Sequence, residues 1–212
     1  MGERYPVLLD LEGRPVLVVG GGPVAARKVA GLLRAGARVT VVAPEVCPEL
    51  RGCIDRAQAR WVPRGFEPGD MDGTVLAFVA TSDPGVNRAA AGEARARGVW
   101  VNAADDPRGS DFHVPAVVRR GRLTVAVATA GASPEAAAWV RDRIAERLPQ
   151  AVGELVELAG RVREMARRRG AVRRLLEAGV LDDLVRGDRD AVDRKVAAAL
   201  GAGEGAPDRE AP

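Results

Sequence analysis

Aromatic residues, lysine, histidine and cysteine are all scarce in this chain of 212 residues. Phe, Trp and Tyr together make up 3%, too few for a row of base-stacking platforms, so no nucleic-acid partner is expected. Cys47 and Cys53 are the only cysteines, at a spacing that suits neither a zinc site nor a redox motif; they read as reduced thiols. With His113 the single histidine, there is no His/Cys cluster at ligand spacing, and no resident metal is expected. No stretch approaches the roughly 18 apolar residues of a membrane span. The opening "MGERYPVLLDLEG" lacks the basic-then-apolar order of a signal peptide, and Pro6 stands where a myristoylation signal needs Ser or Thr. The expectation is a cytoplasmic protein with no membrane partner.

What is present is a globular composition, 47% hydrophobic and 29% charged, with a formal charge of +3. Lys28 and Lys195 are the only lysines, so the cations are nearly all arginines. Guanidinium forks grip carboxylates and phosphates two-pronged, although a bias toward Arg and Ala explains the composition equally well. From residue 14 to 102, short apolar runs alternate with helical patterns. "VLVVG" (16–20), "RVTVVAP" (38–44), "GTVLAFVATSD" (73–83) and "VWVNAAD" (99–105) read as strands, with a short one at "RWV" (60–62). "PVAARKVAGLLRAG" (23–36) and "PGVNRAAAGEARARG" (84–98) read as helices, each opened by proline and closed by glycine. Such alternation implies an α/β class fold, an open parallel sheet with helices on both faces. The pattern then changes. "HVPAVVRRGRLTVAVATAG" (113–131) suits an antiparallel hairpin turning at Arg120-Gly121. "SPEAAAWVRDRIAERL" (133–148) suits a helix capped by Ser133 with an apolar stripe of Ala137, Val140, Ile144 and Leu148. Residues 150–200 are helical with breaks near Gly170, Gly179 and Gly187, and the tail 201–212 has no apolar period and is expected to be disordered.

The junction "PVLVVGGGPVAARKV" carries a G-x-G-x-x-A pattern as Gly20, Gly22 and Ala25. Gly20 would let the chain turn out of the strand, Gly22 would let a pyrophosphate approach the backbone, and Ala25 would allow close helix–strand packing. The helix start at Pro23 and Val24 would offer free N–H groups to the anion. This is the pattern of a dinucleotide site. At the second strand end, Glu45 or the backbone around Pro44 would meet the ribose, with Glu45 slightly late for the usual acid and equally readable as a solvated loop residue. No arginine stands there to hold a 2′-phosphate, which favours NAD over NADP. Thr81, ending another strand, would either face the nucleotide or cap the next helix.

"VNAADDPRGSDFHVP" (101–115) follows a strand end at the mouth of the same crevice and carries Asn102, Asp105, Asp106, Asp111 and His113. A carboxylate there could act as general base beside a hydride transfer; Asp105-Asp106-Pro107 also reads simply as a turn. Arg108, Arg119, Arg120 and Arg122 could hold an anionic substrate, or be solvated. The N-terminus of the helix after Ser133 could receive a carboxylate, or Ser133 could only cap it.

"VLVVGGGPVAARKV", "ATSDPGVNR", "VNAADDP", "FHVPAVV" and "VATAGASPEAA" resemble, in order and spacing, the precorrin-2 dehydrogenase family, which includes the bifunctional dehydrogenase–ferrochelatases and the front portion of the sirohaem synthases. The resemblance spans residues 5–150. It implies an NAD-binding Rossmann domain (1–112), a dimerisation region (113–149) and a helical C-terminal domain (150–200), assembled as a homodimer. It implies oxidation of precorrin-2 to sirohydrochlorin by NAD+, followed in some members by insertion of a transient Fe2+. The family's key aspartate falls on Asp105, its cofactor contacts on Gly22, Pro23, Val24, Pro44 and Glu45, and Thr129 stands where sirohaem synthases carry a phosphorylatable serine. Asn102, His113, Arg119 and Ser133 are the candidates for holding the polycarboxylate substrate. As no methyltransferase portion is expected among these residues, precorrin-2 would come from another protein. A non-catalytic NAD-binding regulatory module, which would need no Asp105, stands as the alternative.

Overall fold

The computed structural model describes residues 4–56, 58–166 and 170–201. The chain divides into two compact units, one ending at Val114 and the other beginning at Pro115.

The first unit runs β1 (Pro15–Val19), α1 (Pro23–Arg34), β2 (Arg38–Val42), α2 (Pro48–Asp55), β3 (Ala59–Val62), a 3₁₀ turn (Pro68–Met71), β4 (Leu76–Val79), α3 (Pro84–Ala96) and β5 (Trp100–Ala103). All five strands are parallel, in the order β3-β2-β1-β4-β5. The expected α/β sheet is thus present. The strands β1 and β4 are apolar at every position because both faces are covered. Val16 and Val18 pack with Val29, Leu32 and Leu50 on the side of α1 and α2. Leu17 and Val19, between them in sequence, pack with Ala90, Ala91 and Ala94 of α3 on the other side. Burying each such Val or Leu stabilises the fold by about 1.5–3 kcal/mol.

Two differences from expectation have local causes. The run 73–83 pairs only over Leu76–Val79, because Thr81 and Asp83 leave the ladder to build the start of α3. Helix α2 has no counterpart in the sequence reading: it is eight residues long and buries only Leu50, too little to show a period.

In the second unit, β6 (Ala116–Arg120) and β7 (Leu123–Val127) form an antiparallel pair in which Val118 faces Val125. Helices α4 (Pro134–Arg147), α5 (Ala151–Met165), α6 (Ala171–Glu177), α7 (Val180–Arg186) and α8 (Arg189–Gly201) follow, so the expected hairpin and helical region are both observed. The hairpin and α5 meet closely: a Cβ on Gly153 would lie 3.0 Å from the carbonyl oxygen of Arg120. Leu158, Val162, Leu175, Val180, Leu184 and Val192 make the helical core. The expected disorder of the tail falls on 202–212, outside the described residues.

One charged group is sunk into that helical core. The Asp183 side chain is 3% exposed and is paired with Lys195 and, at 2.5 Å, with Arg186. The hydrogen bond from Lys195, followed by the charges of Lys195 and Arg186, holds the Asp183 carboxyl below its usual value against the opposing effect of burial. The folded-state value is therefore the lower one. The stability it contributes is complete above the unfolded value of about 3.9 and is lost as pH falls through the folded value. In thermal melts followed by circular dichroism, the gap between wild type and Asp183→Asn is expected to be widest near neutrality and to narrow below about pH 4. A gap independent of pH would remove the carboxylate charge from the explanation.

Candidate functional site

The order β3-β2-β1-β4-β5 reverses direction between β1 and β4, and the loops leaving those strands splay to opposite faces. Ligands of open parallel sheets bind in the crevice so formed at the carboxyl ends. Here a cavity of about 690 Å³ opens at that place, lined from β1 by Gly20–Gly22, from β2 by Pro44–Cys47, from β4 by Thr81–Asp83, and by Gly65 and Phe66.

The three glycines have three different reasons. Gly20 has a φ of +122°, and a Cβ there would lie 2.3 Å from the carbonyl oxygen of Ala80; only glycine lets β1 turn this close to β4. Gly21, which the motif leaves unassigned, would place a Cβ 1.8 Å from the carbonyl oxygen of Glu45, and its own carbonyl accepts from Cys47 N–H at 2.8 Å. It fastens the β2–α2 loop to the glycine turn. A Cβ on Gly22 would meet nothing within 4 Å. Gly22 is the residue before α1, gives its first turn no side-chain cap, and no acid lies in that turn. Helix α3, by contrast, is capped by Asp83, which accepts from Gly85 N–H and Val86 N–H. The α1 N-terminus is thus open where an anion would sit, and these residues fit the pyrophosphate of a dinucleotide.

Pro23 and Val24 open α1 beside the cavity, while Pro44, Glu45 and Thr81 line it. Phe66 is a wall residue that the sequence reading missed. Its loop is set by Arg64, whose guanidinium donates to both carboxylate oxygens of Asp70 at 2.7 and 2.8 Å and to the carbonyl of Gly65. This hydrogen bond holds the Asp70 carboxyl below its usual value.

The polar stretch after β5 separates into distinct jobs. Asp111 accepts from Val101 N–H at 2.8 Å, and its own N–H donates to the Val101 carbonyl. The Ser110 hydroxyl accepts from Ala103 N–H at 3.0 Å. Together they cover the outer edge of β5 as a further strand would. Asp106 accepts from Gly109 N–H and closes a turn. Asn102 donates to the carbonyl of Phe112 at 2.9 Å, and His113 Nε2–H donates to that of Pro107 at 3.0 Å. All of these bind the loop to itself or to the strand. Asp105 differs: its Oδ2 accepts from Asn87 Nδ2 at 2.7 Å, and the residue is exposed. Asn87 is buried in α3 and bonded in turn to Thr81 on the cavity wall. It stood in a quoted motif without a role, its partners lying 6 and 18 residues away.

In the second unit, Ser133 caps α4 by accepting from Ala136 N–H, and its hydroxyl donates to Glu135, which places a carboxylate at that helix end already. The bond from its own backbone N–H and that from Ser133 hold the Glu135 carboxyl below its usual value. Arg120 is spent on the other end of the same helix, donating to the carbonyls of Ala145 and Leu148. Arg119 is exposed on β6. Among the described residues no group of three or more His, Cys, Asp or Glu is arranged to hold a metal ion, and no helix is long and apolar enough to cross a membrane.

A five-stranded parallel sheet with an uncapped glycine turn at its switch point defines a nucleotide-binding α/β protein. Residues 7–116 match the family described as "Putative NAD(P)-binding", and the chain belongs to that family. It is also 41% identical over 186 residues to "Siroheme synthase" of Methylobacillus flagellatus, covering 86% of this chain and 40% of that protein. It is 43% identical over 162 residues to "Siroheme synthase 1" of Cronobacter sakazakii, covering 76% and 34%. The chain therefore spans well under half the length of these relatives. Among solved structures, "SirC, precorrin-2 dehydrogenase" superposes with a TM-score of 0.75 at 29% identity, covering 92% of this chain and 98% of that one.

Since a Cβ at position 22 would meet nothing within 4 Å, Gly22→Ala is expected to leave the melting temperature within a few degrees of wild type. The same change should weaken NAD+ binding by roughly tenfold or more, as about 1.4 kcal/mol of lost contact would. Unchanged affinity in titration calorimetry would remove the pyrophosphate from this turn.

Proposed function

We propose that the chain oxidises precorrin-2 to sirohydrochlorin with NAD+ and that Asp105 is the general base. The observation that carries this reading is the Asp105 carboxylate beyond β5, bonded through one oxygen to Asn87 and through Asn87 to the cavity wall at Thr81. Two of its acidic neighbours, Asp106 and Asp111, are occupied in loop bonds. NAD+ supplies the hydride acceptor. The residues of the chain do the rest. The open turn at Gly22 and the α1 N-terminus hold the pyrophosphate by backbone N–H groups. Glu45, exposed at the end of β2, accepts from ribose hydroxyls and repels a 2′-phosphate, which makes NAD+ the cofactor of choice. Asp105 receives the proton released as the hydride leaves the macrocycle, so that two electrons and two protons are lost from the substrate in all. Arg119 is proposed to bind a substrate carboxylate. Asn102, His113 and Ser133 are likewise proposed to contribute to substrate binding, each side chain being held by a bond to protein atoms.

The test is NADH formation from precorrin-2 and NAD+, followed by absorbance, with and without Fe2+ as a second substrate. Asp105→Ala should bind NAD+ nearly as wild type does while turnover falls by roughly 10²-fold or more. Turnover at the wild-type rate would refute the assignment, and NAD+ binding with no turnover by the wild type would favour a regulatory module.

We further propose that the chain is a homodimer. The two-stranded sheet β6–β7 packs on α4 and α5 but is incompletely covered, with Val118 its one buried residue. The stripe expected on α4 is only partly covered: Ala137 is 7% exposed, but Val140 is 38% and its neighbour Trp139 is 61% exposed. A second copy would cover it. Light scattering at micromolar concentration should report a dimer, and Trp139→Glu should shift it toward monomer. A wild-type monomer under those conditions would count against the proposal.

A further inference from the structure

Asn87 is one of few polar side chains buried among the described residues, at 4% exposure, and it lies inside the first turns of α3, where asparagine is a poor helix former. A buried amide is costly unless its bonds are made. Here all four are. Oδ1 accepts from Thr81 N–H at 3.2 Å and from Thr81 Oγ1–H at 2.7 Å. Nδ2 donates to the Thr81 carbonyl at 3.2 Å and to Asp105 Oδ2 at 2.7 Å.

The pattern has a direction. The backbone N–H of Thr81 can only donate and its carbonyl can only accept, so together they fix which end of the amide faces which way. Turned over, the amide would set its NH2 against the N–H of Thr81 and its oxygen against a carboxylate. The orientation at Thr81 therefore dictates that Asp105 meets a donor. That bond takes up one carboxylate oxygen and leaves the other for a reacting group. It also ties a side chain on an exposed loop to a buried point of the sheet, behind a residue that lines the cavity.

We infer that Asn87 is a positioning residue for Asp105, acting through this single donated bond; the inference rests on the proposed role of Asp105. Misplacing a reacting group by about 1 Å can cost 10²-fold in rate. Asn87→Asp tests it with little change of shape. Its Oδ1 still accepts from Thr81, but a carboxylate oxygen replaces the NH2, so the bond to the Thr81 carbonyl is lost and Asp105 faces a second carboxylate that pushes its side chain away. The expected result is a fall in kcat of about 10- to 100-fold, with the KM for precorrin-2 and the affinity for NAD+ within about twofold of wild type. In an Asp105→Ala background, the same change should cost nothing further, because residues acting as a unit are not additive.

The outcomes divide cleanly. If Asp105→Ala alone keeps wild-type turnover, the reading of Asp105 fails. If Asp105→Ala is impaired but Asn87→Asp turns over as wild type does, or if the two losses multiply in the double variant, Asn87 does not act through Asp105. Loss of NAD+ binding in both Asn87→Asp and Asn87→Ala would make Asn87 a residue of the fold alone and would equally overturn the inference.

Discussion

The close approach of β1 to β4 at Gly20 is the constraint on which the crevice depends. The two strands are neighbours in the sheet, with Val19 level with Val79, yet the chain must leave each of them toward a helix on a different face. For β1 this means turning at once, with its backbone against the Ala80 carbonyl, where any side chain would collide. The turn opens the gap between the two loops and aims the first turn of α1 into it. Gly21 adds a second fastening, to the loop after β2. The cavity, the open helix end and the position of Glu45 all follow from those two contacts.

Much of this was legible in the sequence because it is local. A strand-to-helix junction shows its glycines, its proline and its apolar run within fifteen residues, and the parallel sheet follows from alternation. The Ser133 cap was legible for the same reason: it accepts from an N–H three residues ahead. What escaped was long-range. Asn87 has no meaning without Asp105, and Arg120 reads as a free cation until α4 is seen to end against it. Gly21 looks like the spare member of a triplet, since its collision partner is Glu45 on another loop.

Composition misleads where geometry discriminates. Three aspartates within seven residues after β5 are equivalent as letters, and only the family resemblance singled out the first. In the fold they are separated by their partners: a turn N–H for Asp106, a strand-edge N–H for Asp111 and a buried amide for Asp105. The arginines behave likewise. Arg64 builds a cavity wall through Asp70, and Arg120 closes a helix, so an arginine-rich composition is partly structural. Asn102 on β5 and His113 in the loop, drawn in by their place near the crevice, each donate to a carbonyl of that loop.

The segment Ser110–Asp111 has a consequence beyond the reaction. By occupying the outward N–H groups of Val101 and Ala103, it denies the β5 edge of the sheet to any other chain. An uncovered parallel strand as apolar as its neighbours would be a template for stacking copies into insoluble ladders. The loop that carries Asp105 is thus also a guard against self-association, and changes made there in search of new chemistry will put solubility at risk before they alter the fold's core.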